Sequence, residues 1–393
     1  MNILFLNVST ANPTLGGVQC VSYYLYQYFV SQGHHVVMLA WEKTVEKSSD
    51  DFFYMPDKDK ILSIRNETFL KTLVKDNGIQ IVMNHTCLEP RRAKIVKCLS
   101  KYNVKIVNIF HSSPFGMFGI NKFNWMQNIR NKNIKRLLDY GIRLAFVLKY
   151  RYWLNMQVKY ADKTVLLSNR FKSEYCFFAG SKYFDKLLAM PNPLTVEEVK
   201  LCEKENVLLF VGRLSHEKGL SYLLDIWHLL EDKYPDWRLD IVGDGEEREN
   251  VEMKIKQLGL KRCKLYGFQK PEPYYSRSKI FCMTSLFEGF GLVLIEAMHY
   301  GTVPLAFDSY ANVGDIIDRD KNGMLIPPFD VELYANTLSL LMDSPALLES
   351  MSQEAIKKSE CYAIENIGNQ WIRLFEDLLK WNNSKEKIPT SKG

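Results

Sequence analysis

Eight cysteines are spread irregularly from Cys20 to Cys361 with no Cys-x-x-Cys pair among them, so neither a disulfide framework nor a redox motif is expected and a reduced, cytoplasmic chain is. No run approaches the roughly 20 apolar residues that a membrane-spanning helix requires. Met1 to Val8 is apolar but lacks the basic flank and the length of a signal peptide, so the protein is expected to stay on the side of the membrane where it is made. The three-glycine dinucleotide fingerprint is missing after that first strand. Two Asp-x-Asp pairs, Asp57-Lys58-Asp59 and Asp318-Arg319-Asp320, sit among loop charges rather than after an apolar strand, and no metal site is expected from them. Nucleic-acid-binding motifs are absent too, and nucleic acid is not an expected partner.

What is present is an ordinary globular composition, 47% hydrophobic and 24% charged over 393 residues, long enough for two domains. Apolar strand patterns alternate with helical ones: Met1 to Val8, His35 to Trp41, Ile79 to Asn84 and Val104 to Phe110 in the first half, then Asn206 to Val211, Arg238 to Val242, Lys264 to Phe268 and Thr302 to Phe307. That alternation predicts α/β architecture with parallel sheets, whose ligands bind outside the carboxyl ends of the strands. Met190-Pro191-Asn192-Pro193 interrupts regular structure. The expected domains are therefore 1–190 and 206–362 with a linker at 191–205. A last helix, 365–381, is expected to return to the first domain, ahead of a disordered tail, 382–393.

The chain is organised around Phe281–Gly301. A buried-strand pattern ends in the polar turn Thr284-Ser285, two glycines flank Phe290, and an apolar helix follows from Leu292 to His299. Such a junction aims backbone N–H groups and the positive end of a helix dipole at one spot, which suits a phosphate. Glu288 precedes the helix and Glu296 lies eight positions later on it, an arrangement that a sugar nucleotide fits. Glu288 and Glu296, with Gly289-Phe290-Gly291 between them, resemble the E-x7-E signature of the retaining glycosyltransferases of the GT-B fold, family four. Val211-Gly212-Arg213-Leu214-Ser215-His216-Glu217-Lys218-Gly219 resembles the same family's diphosphate-binding segment, and Ile241-Val242-Gly243-Asp244-Gly245 lies between the two blocks in the family's order.

The resemblance implies two Rossmann-like domains with parallel sheets facing across a cleft, and roles for particular residues. Arg213 and Lys218 would neutralise a diphosphate leaving group, Arg as a bidentate fork and Lys as a point charge. Glu288 would accept from hydroxyls of the transferred sugar and Glu296 from those of the ribose. Gly289, Phe290, Gly291 and Leu292 would surround the phosphates, while Gly212, Gly243 and Phe268 would border the nucleotide. In the first domain Thr14-Leu15-Gly16-Gly17-Val18 matches the loop that faces the donor phosphate and the acceptor. His111, at the end of a strand, matches a histidine that points at the transferred sugar, although a histidine at such a place is also an ordinary hydrogen-bonded turn residue. Arg, Lys and the helix dipole do a metal's work in this family, so no cofactor is expected.

Residues 115–160 hold nine Lys or Arg and one acid, Asp139, with aromatic and aliphatic residues interleaved. Basic helices of this kind lie in the interface of anionic membranes, and a solvated helical pair has the same composition. The expected function is transfer of a hexose-type sugar, with retention, from a nucleotide-diphosphate sugar to a glycan or polyprenyl-linked acceptor in surface polysaccharide assembly. UDP is the first choice of nucleotide and GDP-mannose the second, and peripheral attachment to the inner face of the cytoplasmic membrane is part of the reading. A sugar-nucleotide epimerase of the same fold and a non-catalytic sugar-nucleotide-binding protein stay open as alternatives.

Overall fold

The computed structural model describes residues 1–12, 16–42, 51–115, 132–196 and 203–385. The chain divides into two compact units, Met1–Pro193 with Ile364–Gly393, and Leu194–Ala363.

Unit 1 carries seven parallel strands, β1 Asn2–Ser9, β2 His35–Glu42, β3 Phe52–Tyr54, β4 Ile81–Asn84, β5 Lys105–Phe110, β6 Lys163–Leu166 and β7 Leu187–Ala189, in the order β3-β2-β1-β4-β5-β6-β7. Helices α1 Gly17–Ser31, α2 Ile64–Asp76, α3 Ala93–Leu99, α4 Lys132–Tyr160 and α5 Phe171–Ala179 connect them. Strand residues such as Ile3, Leu4, Phe5 and Leu6 are wholly buried, as continuous apolar runs in a sheet covered on both faces must be.

Unit 2 carries β8 Glu205–Val211, β9 Arg238–Val242, β10 Cys263–Gly267, β11 Ser278–Met283, β12 Val303–Phe307 and β13 Met324–Ile326, in the order β10-β9-β8-β11-β12-β13 and again all parallel. Its helices are α6 Leu220–His228, α7 Arg248–Leu258, α8 Glu272–Arg277, α9 Leu292–His299, α10 Val313–Ile316, α11 Val331–Asp343 and α12 Pro345–Glu360. Trp227, Leu223, Leu239, Ile280 and Leu338 pack between its sheet and helices. The last helix, α13 Ile364–Lys385, belongs to unit 1, where Phe375 meets Phe29 of α1 edge-on at 5.7 Å and Tyr28 donates to Asn369 at 3.0 Å.

Several expectations need adjustment. β3 and β7, three residues each, are too short to leave a periodic signal. Ser168 Oγ accepts from Arg170 N at 3.0 Å in the turn that leads into α5, which begins at Phe171. α13 continues to Lys385, through the first part of the expected tail, and 386–393 lie outside the described residues. Of the basic segment, 116–131 lie outside them as well, and 132–160 form one 29-residue helix. No helix among the described residues is long and apolar enough to cross a membrane.

In each sheet the connections change direction at one place, between β1 and β4 and between β8 and β11. Ligands of open α/β sheets bind at the carboxyl ends of the strands beside such a switch point.

Candidate active site

Both motif segments of unit 2 lie at its switch point. β8 delivers Gly212 to Gly219, and β11 delivers Thr284 to Gly291. The two loops are laced by backbone: Leu286 N donates to Glu217 O at 2.7 Å, and Thr284 Oγ1 donates to Lys218 O at 3.3 Å. Gly219 makes this approach possible. Its φ of 63° is left-handed, and a Cβ there would collide with the carbonyl oxygen of Thr284. Gly219→Ala is therefore expected to cost about 1–3 kcal/mol from backbone strain, with a further cost from the clash, read as a lowered Tm; an unchanged Tm would refute the packing described.

The lacing brings Lys218 to Glu288. Lys218 Nζ donates to Glu288 Oε1 at 2.6 Å, and Ser285 Oγ donates to the same oxygen at 2.8 Å. With side chains 19% and 13% exposed, the pair is partly shielded from water, where an ion pair is stronger than on an open surface. Arg213 is exposed on the Lys218 loop. Burial raises the pKa of Glu217, but the Ser215 hydroxyl, its own backbone amide and the nearby Lys218 and Arg213 outweigh that and leave it below the ordinary value.

Gly291, with φ 90°, caps α9, and no acidic residue occupies the first turn of that helix. The initial N–H groups of a helix have no intrahelical partner, so this end offers donors and positive potential three residues after Glu288. Phe290 is buried, with its carbonyl held by Asn312 Nδ2 at 3.1 Å. Gly212 N donates to Val242 O and Gly243 N to Gly267 O, which extends the sheet past its strand ends. Phe268 is 69% exposed beside that loop.

Glu296, on the fifth residue of α9, is buried. Thr195 Oγ1 and Tyr275 Oη donate to its two oxygens, each at 2.9 Å. Burial raises its pKa to about 7 against the opposing pull of those two hydrogen bonds. Thr195 and Tyr275 escape sequence reasoning because isolated hydroxyls have no spacing to recognise, and the polar turn Thr284-Ser285 gives no sign that Ser285 bonds Glu288.

In unit 1 Gly16 and Gly17 are exposed where α1 begins, and residues 13–15 of that loop lie outside the described residues. His111 follows β5 and is buried, and the loop after it is held by Glu174, which accepts from Ser113 Oγ at 2.6 Å and Phe115 N at 3.1 Å. His111 is half of a pair: its Nε2 lies 2.9 Å from Nδ1 of His85, which follows β4, and Ser22 Oγ lies 3.3 Å from the same Nδ1. Burial lowers the pKa of His111 to about 4 and that of His85 well below its usual value, so both rings are neutral near pH 7. His111 Nδ1 and His85 Nε2 are buried with no hydrogen-bond partner among the described residues. His85 was legible by the same signal as His111, a histidine directly after an apolar strand.

A family model described as "Glycosyl transferases group 1" matches residues 194–358. An uncharacterized glycosyltransferase of Haemophilus influenzae is 35% identical over 253 residues, covering 61% of this chain and 69% of its relative. The chain belongs to the glycosyl transferases group 1 family. This group 1 glycosyltransferase is also 36% identical over 170 residues to the amylovoran biosynthesis glycosyltransferase AmsD of Erwinia amylovora, covering 43% of this chain and 47% of that one. Among solved structures, Anabaena HepE in complex with UDP is similar in fold, with a TM-score of 0.73 at 15% identity over 96% of this chain and 100% of that one. The fold is GT-B, with one parallel sheet in each unit. Glu288, Glu296, Arg213 and Lys218 all lie in unit 2, within the span of the family match.

Proposed function

We propose that this glycosyltransferase moves a hexose-type sugar, with retention, from a UDP-sugar to a glycan or lipid-linked acceptor in surface polysaccharide assembly. The observation that carries the reading is the Lys218–Glu288 contact at the switch point, which joins two segments 70 residues apart, the second of them leading into the N-terminus of α9. In this reading the diphosphate takes Lys218 from Glu288, Arg213 joins it, and the amides at the start of α9 meet the remaining charge. Glu288 is then released to accept from hydroxyls of the transferred sugar, and Glu296 accepts from the ribose. His111, Gly16 and Gly17 take the roles that the family resemblance implies. The acceptor hydroxyl enters from the face that the diphosphate leaves, and a phosphate oxygen receives its proton. The cations and amides supply the charge stabilisation, so no divalent ion is needed.

The choice of UDP draws support from HepE, whose structure holds UDP, and the polysaccharide setting draws it from AmsD. The test is nucleotide release from a panel of sugar nucleotides in excess EDTA. Release is expected from a UDP-sugar only when a glycan or polyprenyl-linked acceptor is present. Acceptor-independent loss of donor would favour the epimerase, and no turnover of any donor would favour a binding protein.

The reading includes attachment to an anionic membrane. Leu144, Leu148 and Tyr152 recur at helical spacing on α4 and are exposed, with exposed Lys149 and Arg151 among them. Exposed Phe177 and Phe184 lie on α5 and the turn after it, and both elements pack against α4. Each cation near such a surface contributes about 1 kcal/mol. Flotation with vesicles rich in phosphatidylserine is expected to carry the protein, and Leu148→Asp with Lys149→Glu and Arg151→Glu to abolish this. Failure of the unmodified protein to float at physiological salt would end the attachment.

A further inference from the structure

The two places where the chain passes between its units, Pro193/Leu194 and Ala363/Ile364, are tied together inside unit 2. Leu194 N donates to Tyr362 O at 2.7 Å. Tyr362 in turn sets its ring edge-on to Phe290 at 6.0 Å and donates its hydroxyl to Asp315 O at 3.2 Å. The next residue, Thr195, bonds Glu296 Oε1, while Tyr275 bonds Oε2 from α8. Both crossings therefore touch the segment from Glu288 to Glu296.

We propose that Thr195 and Tyr275 are positioning residues for the donor reaction, holding the two oxygens of Glu296 so that its remaining lone pairs meet the ribose of the nucleotide, with Thr195 making that carboxylate the anchor of the chain crossing. This rests on the reading that Glu296 receives the ribose. An ionised carboxylate accepts about four hydrogen bonds, so two held by the protein leave room for two from a ribose diol. Hydroxyl donors on both oxygens also fix the plane of the carboxylate, and they favour its ionised form against burial. If the site needed only to be filled, an apolar side chain in place of Glu296 would serve the fold better than a buried carboxylate.

The other groups that bear on Glu296 act in known directions. Glu272 raises its pKa by repulsion. Tyr275 is stacked on Tyr300 at 6.0 Å, and its carbonyl accepts from the Lys204 ammonium at 3.0 Å, which locks the tyrosine in place.

The experiment is calorimetric titration of the full chain with UDP from pH 5.5 to 8.5, for the unmodified protein and for Glu296→Gln, Thr195→Val, Thr195→Ser and Tyr275→Phe. Subtracting the Glu296→Gln profile removes the ionisation of UDP itself. The unmodified protein is expected to bind more tightly as pH rises through a midpoint near neutrality. Thr195→Val and Tyr275→Phe are expected to move that midpoint upward by about one pH unit, since each loses one donor to the carboxylate, and to weaken binding at pH 7.5 about tenfold. Thr195→Ser restores both, a rescue that mere core filling does not predict. If Glu296→Gln weakens binding while Thr195→Val and Tyr275→Phe keep the original affinity and midpoint, the positioning role is overturned and the ribose assignment stands. If Glu296→Gln binds UDP as the unmodified protein does, the ribose assignment fails and takes the proposal with it. Should Thr195→Val not fold, Tyr275→Phe and Thr195→Ser give the same decision.

Discussion

Lys218→Ala is expected to lower kcat about a hundred- to thousandfold while the protein stays folded, with Arg213→Ala close behind. A preorganised charge aimed at a leaving group is worth about 3 to 4 kcal/mol in the transition state, because water is excluded and no reorganisation is needed when the bond breaks. Lys218 is already fixed by Glu288 at 2.6 Å and by the backbone of its loop. The structural cost of removing it is smaller than the catalytic one. Glu288 keeps the Ser285 hydroxyl at 2.8 Å and stays partly open to water, so it is not left as a fully buried, unpaired charge. Lys218→Arg, which keeps the charge but changes its geometry, should recover part of the loss. Steady-state kinetics with a melting curve for each variant checks this, and normal turnover in either alanine variant would reject the assignment.

Glu296→Gln is expected to do two opposite things: weaken nucleotide binding about tenfold or more, and stabilise unit 2 at alkaline pH. The sign follows from its pKa, which burial raises from the ordinary 4.5 to about 7. Between those values the folded protein holds a proton that the unfolded chain has released. The carboxyl's contribution to stability is therefore full below about pH 4.5 and is lost as pH rises through about 7. Glutamine keeps the shape of the protonated acid and has no proton to lose, and the hydroxyls of Thr195 and Tyr275 can each donate or accept. The variant should match the unmodified protein near pH 4.5 and exceed it by several degrees in Tm at pH 8. The buried histidines of unit 1 act the other way: His111, depressed by burial, adds stability above about pH 6.5 that is lost as pH falls through about 4, and His85, lowered by burial and by His111, acts in the same direction. Equal Tm values for Glu296→Gln and the unmodified protein at pH 8, over a flat difference from pH 5 to 8, would refute the buried, ionised state of Glu296. A stabilising substitution that damages binding is the usual mark of a side chain kept for its ligand.

Much of this arrangement is legible in the sequence. β9 and α9 fall where the apolar patterns put them, Arg238–Val242 and Leu292–His299, because buried parallel strands and a helix opened by Gly291 leave continuous or periodic signals. The contact between Lys218 and Glu288 could be anticipated only as membership of one site. The 2.6 Å bond depends on how closely two loops approach, which Gly219 permits and no local pattern records. Glu296 was recognised by its place after Glu288, but its two partners were not, since Thr195 and Tyr275 come from a chain crossing and from a six-residue helix with no periodicity to betray them. β3, three residues long, leaves no signal for the same reason of length. Side-chain pairing between distant segments is a property of packing, and packing is what the linear pattern leaves out.

The central claim is that unit 2 holds the diphosphate of a sugar nucleotide between Lys218, Arg213 and the start of α9. The most direct test is a crystal structure of the full chain with UDP. The account predicts the β-phosphate within hydrogen-bond distance of Lys218 Nζ, the Arg213 guanidinium and an amide of Gly291 or Leu292, with Lys218 drawn away from Glu288 and the ribose hydroxyls on Glu296. A diphosphate bound elsewhere, with the Lys218–Glu288 pair intact, would contradict it.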